Sequence, residues 1–131
     1  MEDFQIDYID DILVVKVDLI AATLRDAQPL WIEFENHMLF KHSKIIIDLS
    51  TCAHIDSTFI GMIVKIFRKV RENKGQMMLV FPKVSTIEVF RLMGLTQVVD
   101  CFNNLEEAIE QLRLKFPLQE HSLFEEKFFQ N

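Results

Sequence analysis

The chain has 131 residues, half of them hydrophobic, and a formal net charge of −6. That length fits one domain with a full core that needs no staple, and the acidic balance argues against direct binding to nucleic acid. Two cysteines, Cys52 and Cys101, are too few for a disulfide framework and read as free thiols in a reducing compartment.

The opening Met1-Glu2-Asp3 is acidic, no apolar segment of a secretion signal follows, and no apolar stretch reaches membrane-spanning length. A cytoplasmic protein with no membrane partner is the expectation.

Phe4 to Tyr8 alternates apolar and polar residues, as an outer strand does. Asp10-Asp11 reads as a turn, and the β-branched run Ile12 to Val17 reads as the strand that pairs with the first as a hairpin. After a loop, apolar residues at helical spacing predict a helix from about Asp26 to Phe40. With Asp26 near its N-cap, Pro29 falls in the first turn and sacrifices no intrahelical bond. Leu30, Phe34, His37 and Met38 share one face of that helix, with Trp31 and Ile32 at its margins.

Lys44 to Leu49 holds the run Ile45-Ile46-Ile47, which has no polar alternation, and predicts a central strand buried on both faces. A helix follows over Ser57 to Asn73, with Ile60, Ile63, Phe67 and Val70 on one side. Lys74-Gly75 reads as its stop, with Gly75 in the left-handed conformation. Met77 to Phe81 predicts a further buried strand ended by Pro82. Then come a short helix from Val84 to Met93 closed by Gly94, an edge strand from Gln97 to Cys101, and a last helix capped by Asn103 or Asn104 that runs to about Phe116.

Strands alternating with helices imply parallel pairings and right-handed crossovers, and the opening hairpin makes the sheet mixed. The expected fold is therefore an α/β domain over residues 1–117, with a mixed sheet of about five strands and about four helices. Pro117 breaks the last helix, and residues 118–131 form a tail that carries Leu123, Phe124, Phe128 and Phe129. Two readings of the tail stand side by side. One is a short extra helix packed on the domain or on a second copy in a homodimer, and the other is a frayed terminus.

The chemistry-bearing residues gather between the central strand and the central helix. Asp56 and Ser57 fall where the helix begins, and either residue type can accept a hydrogen bond from a first-turn N–H. Phe59, Met62 and Ile66 widen the apolar arc of this helix beyond Ile60, Ile63, Phe67 and Val70. Either neighbouring elements cover that width, or Phe59 and Met62 stay exposed beside Ser57 as part of a binding patch.

His54, Asp56 and Ser57 have the residue types of a nucleophilic triad, but neighbours in one tight turn point apart, so an enzyme is not expected. His37, His42, His54 and His121 lack metal-ligand spacing, so no metal or cofactor is expected either. Cys52 reads as a small buried hydrophobe, with a redox role near Ser57 as the alternative.

The order Ile45-Ile46-Ile47-Asp48-Leu49-Ser50 followed by Ile55-Asp56-Ser57-Thr58-Phe59-Ile60-Gly61 resembles the STAS domain of bacterial anti-sigma factor antagonists. Gly75, the strand from Met77, Pro82, Phe90-Arg91-Leu92-Met93-Gly94-Leu95 and Leu105-Glu106-Glu107-Ala108-Ile109 fall where that family has their like, so the resemblance spans about Ile12 to Leu112. Phe59 replaces the first glycine of the family's turn, while Gly61 is kept, and Val17 stands where many members have glycine.

The resemblance implies a protein that binds an anti-sigma factor serine kinase when unphosphorylated. The kinase phosphorylates Ser57 and so releases it, and a serine phosphatase resets it. Asp56, Ser57, Thr58, Phe59 and Met62 are then the partner-binding residues, with no catalytic residue of the chain's own. A scaffold role in a signalling complex, or a regulatory subunit of a transporter, is the competing reading for the same domain.

Overall fold

In a computed structural model that describes residues 2–82, 91 and 94–117, the hydrophobic runs become strands with both faces covered. The hairpin strands are β1 (Phe4–Ile9) and β2 (Ile12–Val17), and a two-residue strand β3 (Ala21–Ala22) follows them. The central strand is β4 (Lys44–Asp48), then come a second two-residue strand β5 (His54–Ile55), β6 (Gln76–Val80) and β7 (Asp100–Phe102). The helices are α1 (Leu24–Asn36), α2 (Ser57–Glu72), a single turn α3 (Leu95–Val98) and α4 (Leu105–Lys115).

The main sheet has five strands in the order β1-β2-β4-β6-β7. β1 runs antiparallel to β2, and every other neighbour pair is parallel. The expected mixed sheet is thus present, and four α-helices are among the described residues.

Side chains alternate across the sheet because successive residues of a strand point to opposite faces. Leu13, Val15, Ile45, Ile47 and Leu79 face α1 and α2, and pack with Leu30, Phe34, Ile60 and Ile63. Ile12, Val14, Ile46, Met78 and Val80 face the other way, against Ala108, Ile109 and Leu112 of α4. Runs such as Ile45-Ile46-Ile47 have no polar alternation for this reason: neither face meets water.

Three local expectations are corrected. First, α1 starts at Leu24, ahead of Asp26. Thr23 is the N-cap and Asp26 is the third helical residue, its carboxylate accepting from the Thr23 backbone N–H at 3.0 Å. Pro29 therefore lies inside the helix, where it removes the bond that its N–H would have given to the carbonyl four residues back. The helix also stops at Asn36, because Met38 adopts a left-handed conformation (φ 53°) and Leu39–Lys41 form a 3-10 turn. His37 and Met38 are consequently exposed, and Ala27, Leu30 and Phe34 make the buried face.

Second, the edge strand is Asp100–Phe102, two residues shorter than the predicted Gln97 to Cys101, and it is shifted towards the C-terminus. Leu95 and Val99 are both buried, and one helical turn brings residues four apart to the same side. Gly94, with φ 70°, opens that turn.

Third, the left-handed residue after α2 is Lys74 (φ 64°) and not Gly75. Lys74 N–H bonds Arg71 O at 2.9 Å and Gly75 N–H bonds Val70 O at 2.8 Å, the pairing of a Schellman stop with lysine in the usual glycine position. Gly75 is required for space: a Cβ there would lie 2.9 Å from Val70 Cγ1 and 3.2 Å from His42 O. Asn104 caps α4, its side chain accepting from Glu107 N–H at 2.8 Å. The predicted helix Val84 to Met93, except for the exposed helical Arg91, and the tail 118–131 lie outside the described residues.

These two positions carry opposite expectations. Gly75→Ala should lower stability by about 1–3 kcal/mol, as forced overpacking does. Lys74→Gly should raise it by up to about 1 kcal/mol by relieving the left-handed backbone. Urea denaturation of the two variants beside the parent measures both signs.

Candidate functional site

The candidate site is built where β4 ends and α2 begins, at the carboxyl end of the parallel strands. The connection between them is held at both ends. Leu49 N–H bonds Val80 O at 3.2 Å, and Cys52 N–H bonds Leu49 O at 2.9 Å. Asp48 is the buried charged residue here, its Oδ1 accepting from Ser50 N–H at 2.9 Å.

The second half of the connection zips onto the loop after β2. Ala53 and His54 N–H both reach Ile20 O, at 2.7 and 3.0 Å, and Asp56 N–H reaches Ala22 O at 3.1 Å. β3 and β5 therefore form a small parallel sheet, with Ala21 opposite His54 and Ala22 opposite Ile55. Sequence reasoning missed this pairing, because two-residue strands carry no periodic signal.

Asp56 ties the site together. It is the N-cap of α2, its Oδ1 accepting from Phe59 N–H at 2.9 Å. Its Oδ2 accepts from the Leu24 N–H, the first residue of α1, at 2.8 Å. One carboxylate thus satisfies unpaired donors at the starts of two helices, where negative charge is also favoured by the helix dipoles. Both oxygens of Asp56 are turned to backbone donors, and neither is bonded to a histidine. His54 forms no hydrogen bond or ion pair with Asp56 or Ser57, so these three residues do not make a triad.

Ser57 is the first helical residue of α2 and is exposed, as is Thr58. Met62 is half-buried against the core. Phe59 corrects the sequence reading: it is fully buried, 0% exposed, and lies in the main core with Ile60, Ile63 and Ile66. The wide apolar arc of α2 is largely consumed by the domain's own core, because α1 and the sheet contact it from two sides. Phe59 sits where it does because Asp56 caps its N–H and so sets the first turn.

Two exposed apolar residues that sequence reasoning missed lie on the neighbouring loop instead. Ile20 is 67% exposed and Leu24 is 69% exposed, and both lie on the segment hydrogen-bonded to the Ser57 loop. The signal was present in Leu19-Ile20-Ala21-Ala22, an apolar run in a loop with neither strand nor helix period. The site is therefore an open face that carries a serine hydroxyl, with exposed Leu24 bonded through its backbone to the neighbouring Asp56 and exposed Ile20 on the loop bonded to Ala53 and His54.

Cys52 is buried behind this face, its thiol pushed up to about 12 by burial first and then by the Asp48 charge. Cys101 is likewise raised to about 12, by burial and then by Asp100. Thiols so shifted stay protonated at neutral pH and react poorly, which removes the redox reading of Cys52. Among the described residues no cluster of three or more His, Cys, Asp or Glu could hold a metal, and no helix is long and apolar enough to cross a membrane.

Residues 5–108 match the model of the STAS domain. The chain belongs to the STAS domain family. This STAS domain is 31% identical over 85 residues to a Thermotoga maritima protein named "Putative anti-sigma factor antagonist", an alignment covering 65% of this chain and 74% of the relative. A crystal structure from Thermotoga maritima under the same name superposes with a TM-score of 0.72 at 26% identity, covering 84% of this chain and 94% of that one. The Bacillus cell fate determinant SpoIIAA in its phosphorylated form shares the fold, with a TM-score of 0.63 at 19% identity over 84% of this chain and 99% of that one. Sequence and fold together place this STAS domain among the anti-sigma factor antagonists.

Asp56 and Phe59 are both structural by this geometry. Phe59→Ala should cost roughly 3–5 kcal/mol of stability, the range for emptying a buried aromatic site. Asp56→Ala should cost about 1–3 kcal/mol, since it uncaps α2 and orphans the Leu24 donor. Chemical denaturation tests both, and a loss under about 1 kcal/mol for Phe59→Ala would contradict its place in the core.

Proposed function

We propose that this STAS domain is a cytoplasmic anti-sigma factor antagonist that works by partner switching. Unphosphorylated, it binds an anti-sigma factor serine kinase through the face around Ser57. The kinase transfers phosphate from ATP to the Ser57 hydroxyl, the complex separates, and a serine phosphatase restores the starting state.

The observation that carries this reading is Ser57 itself: an exposed hydroxyl at the first position of a long helix, beside a carboxylate whose oxygens are already bound. The backbone N–H groups at a helix start, together with the dipole, accommodate an anion. Phosphorylation adds about −1.5 to −2 charges next to Asp56, and the cap does not have to rearrange to admit them.

The change is instead felt at the surface. Ile20, Leu24 and the edge of Met62 offer apolar contact that a partner can bury, while a phosphate among them would have to be desolvated on docking. Thr58, one residue on, lies within the same docking face. The antagonist name of the Thermotoga maritima homologue supports this role, and SpoIIAA, which shares the fold, has a structure in its phosphorylated form.

Incubation with the cognate anti-sigma kinase and ATP, followed by mass spectrometry, should find phosphate on the peptide spanning Ser57 and none after Ser57→Ala. Ser57→Asp should keep the far-ultraviolet dichroism and bind the kinase at least about tenfold more weakly, even though aspartate carries less charge than phosphoserine. Phosphate on Thr58 alone, or on neither residue with an active kinase, would refute the mechanism.

A further inference from the structure

The outer face of α2 carries two features that the domain's own packing does not require. Gly61 is exposed in mid-helix, and a Cβ built on it meets nothing within 4 Å. Its backbone is not left-handed, so the fold would accept alanine. Glycine in a helix interior is nonetheless about 0.5–1 kcal/mol worse than alanine. What a missing side chain offers here is close approach of another surface to the helix.

The second feature is charge. Residues 65–74 hold five cations, Lys65, Arg68, Lys69, Arg71 and Lys74, and one acid, Glu72, in a chain whose net charge is −6. All five are exposed, and none forms an ion pair among the described residues. Lys65 Nζ rests 4.3 Å from the centroid of the Trp31 ring and so is held in place. The helix dipole accounts for cations in the last turn, Lys69 and Arg71. It does not account for Lys65 and Arg68.

At about 100° per residue, Ser57, Thr58, Gly61, Lys65, Arg68 and Lys69 fall within an arc of about 120°. The serine, the bare position and three of the five cations are one stripe, with Glu72 at its far end. We propose that the partner lies lengthwise along α2, crosses the helix at Gly61, and meets Lys65, Arg68 and Lys69 with an acidic protein segment. This rests on the reading of Ser57 as a partner-binding site and adds the direction and chemistry of the partner.

A compact acidic segment fits better than an extended polyanion. A membrane or a duplex would also face the acidic remainder of this chain, which repels it. Lys65 lies about 12 Å along the axis from Ser57 at about 1.5 Å per residue, beyond the screening length of about 8 Å at physiological salt. A phosphate on Ser57 therefore leaves the cationic end mostly intact. Ser57 decides whether the complex holds, and the stripe sets how fast it forms.

The test places p-benzoylphenylalanine at Glu72 or at Thr58 in the full chain, irradiates cells producing it, and sequences the cross-linked peptides. The same protein should be trapped at both positions, with a peptide rich in Asp and Glu at position 72. With that protein purified, Gly61→Ala should raise Tm by about 2–5 °C while weakening binding at least tenfold. Lys65→Glu with Arg68→Glu should slow association at least tenfold and flatten its salt dependence.

Trapping at Thr58 alone or at neither position overturns the inference. So does a lipid, a nucleic acid or a peptide without acidic residues at position 72, or unchanged binding by Gly61→Ala. If the trapped protein is not a kinase, the proposed function falls while the inference about the stripe stands.

Discussion

The Asp56 carboxylate is the constraint on which the candidate site depends. Its two oxygens accept from Phe59 N–H and Leu24 N–H, at the starts of α2 and α1. Without a shared acceptor, two helix N-termini brought together would place unpaired donors and two partial positive charges side by side. The carboxylate resolves both problems at once. It also leaves the adjoining serine unengaged by the fold and turned to solvent.

The sheet gives this arrangement its rigidity. β2, β4 and β6 are buried on both faces, by α1 and α2 on one side and α4 on the other. Their carboxyl ends therefore present loops from a fixed base, the place where open α/β sheets commonly bind their ligands. The small β3–β5 pairing locks the two loops to each other through backbone groups alone. The hydrogen bonds of this pairing are thus independent of the side chains that a partner meets.

Burial of Phe59 changes how the face is composed. The core takes the apolar width of α2, and the outward stripe is left to Ser57, Thr58, Gly61 and the cations. Apolar contact comes instead from Ile20 and Leu24 on the neighbouring loop. The candidate surface is consequently made by two segments, far apart in sequence, that Asp56 joins.

The sequence by itself determined the mixed sheet and the start of the central helix. Runs of β-branched residues without alternation can satisfy burial only as two-sided strands, and Asp-Ser before an apolar period of 3.6 marks a capped helix start. The Ser57 position was legible for that reason, as was the Asn104 cap. Only the tertiary structure decided which side of α2 is core, because the apolar arc was wider than one interface and a wheel cannot say which neighbours cover it. It also decided that Lys74 takes the left-handed stop, since the close approach of Val70 and His42 reserves Gly75 for space. The second role of Asp56 and the exposure of Ile20 and Leu24 come from contacts between residues about thirty positions apart. Local periodicity carries no information about such pairs, and they form only when the chain packs.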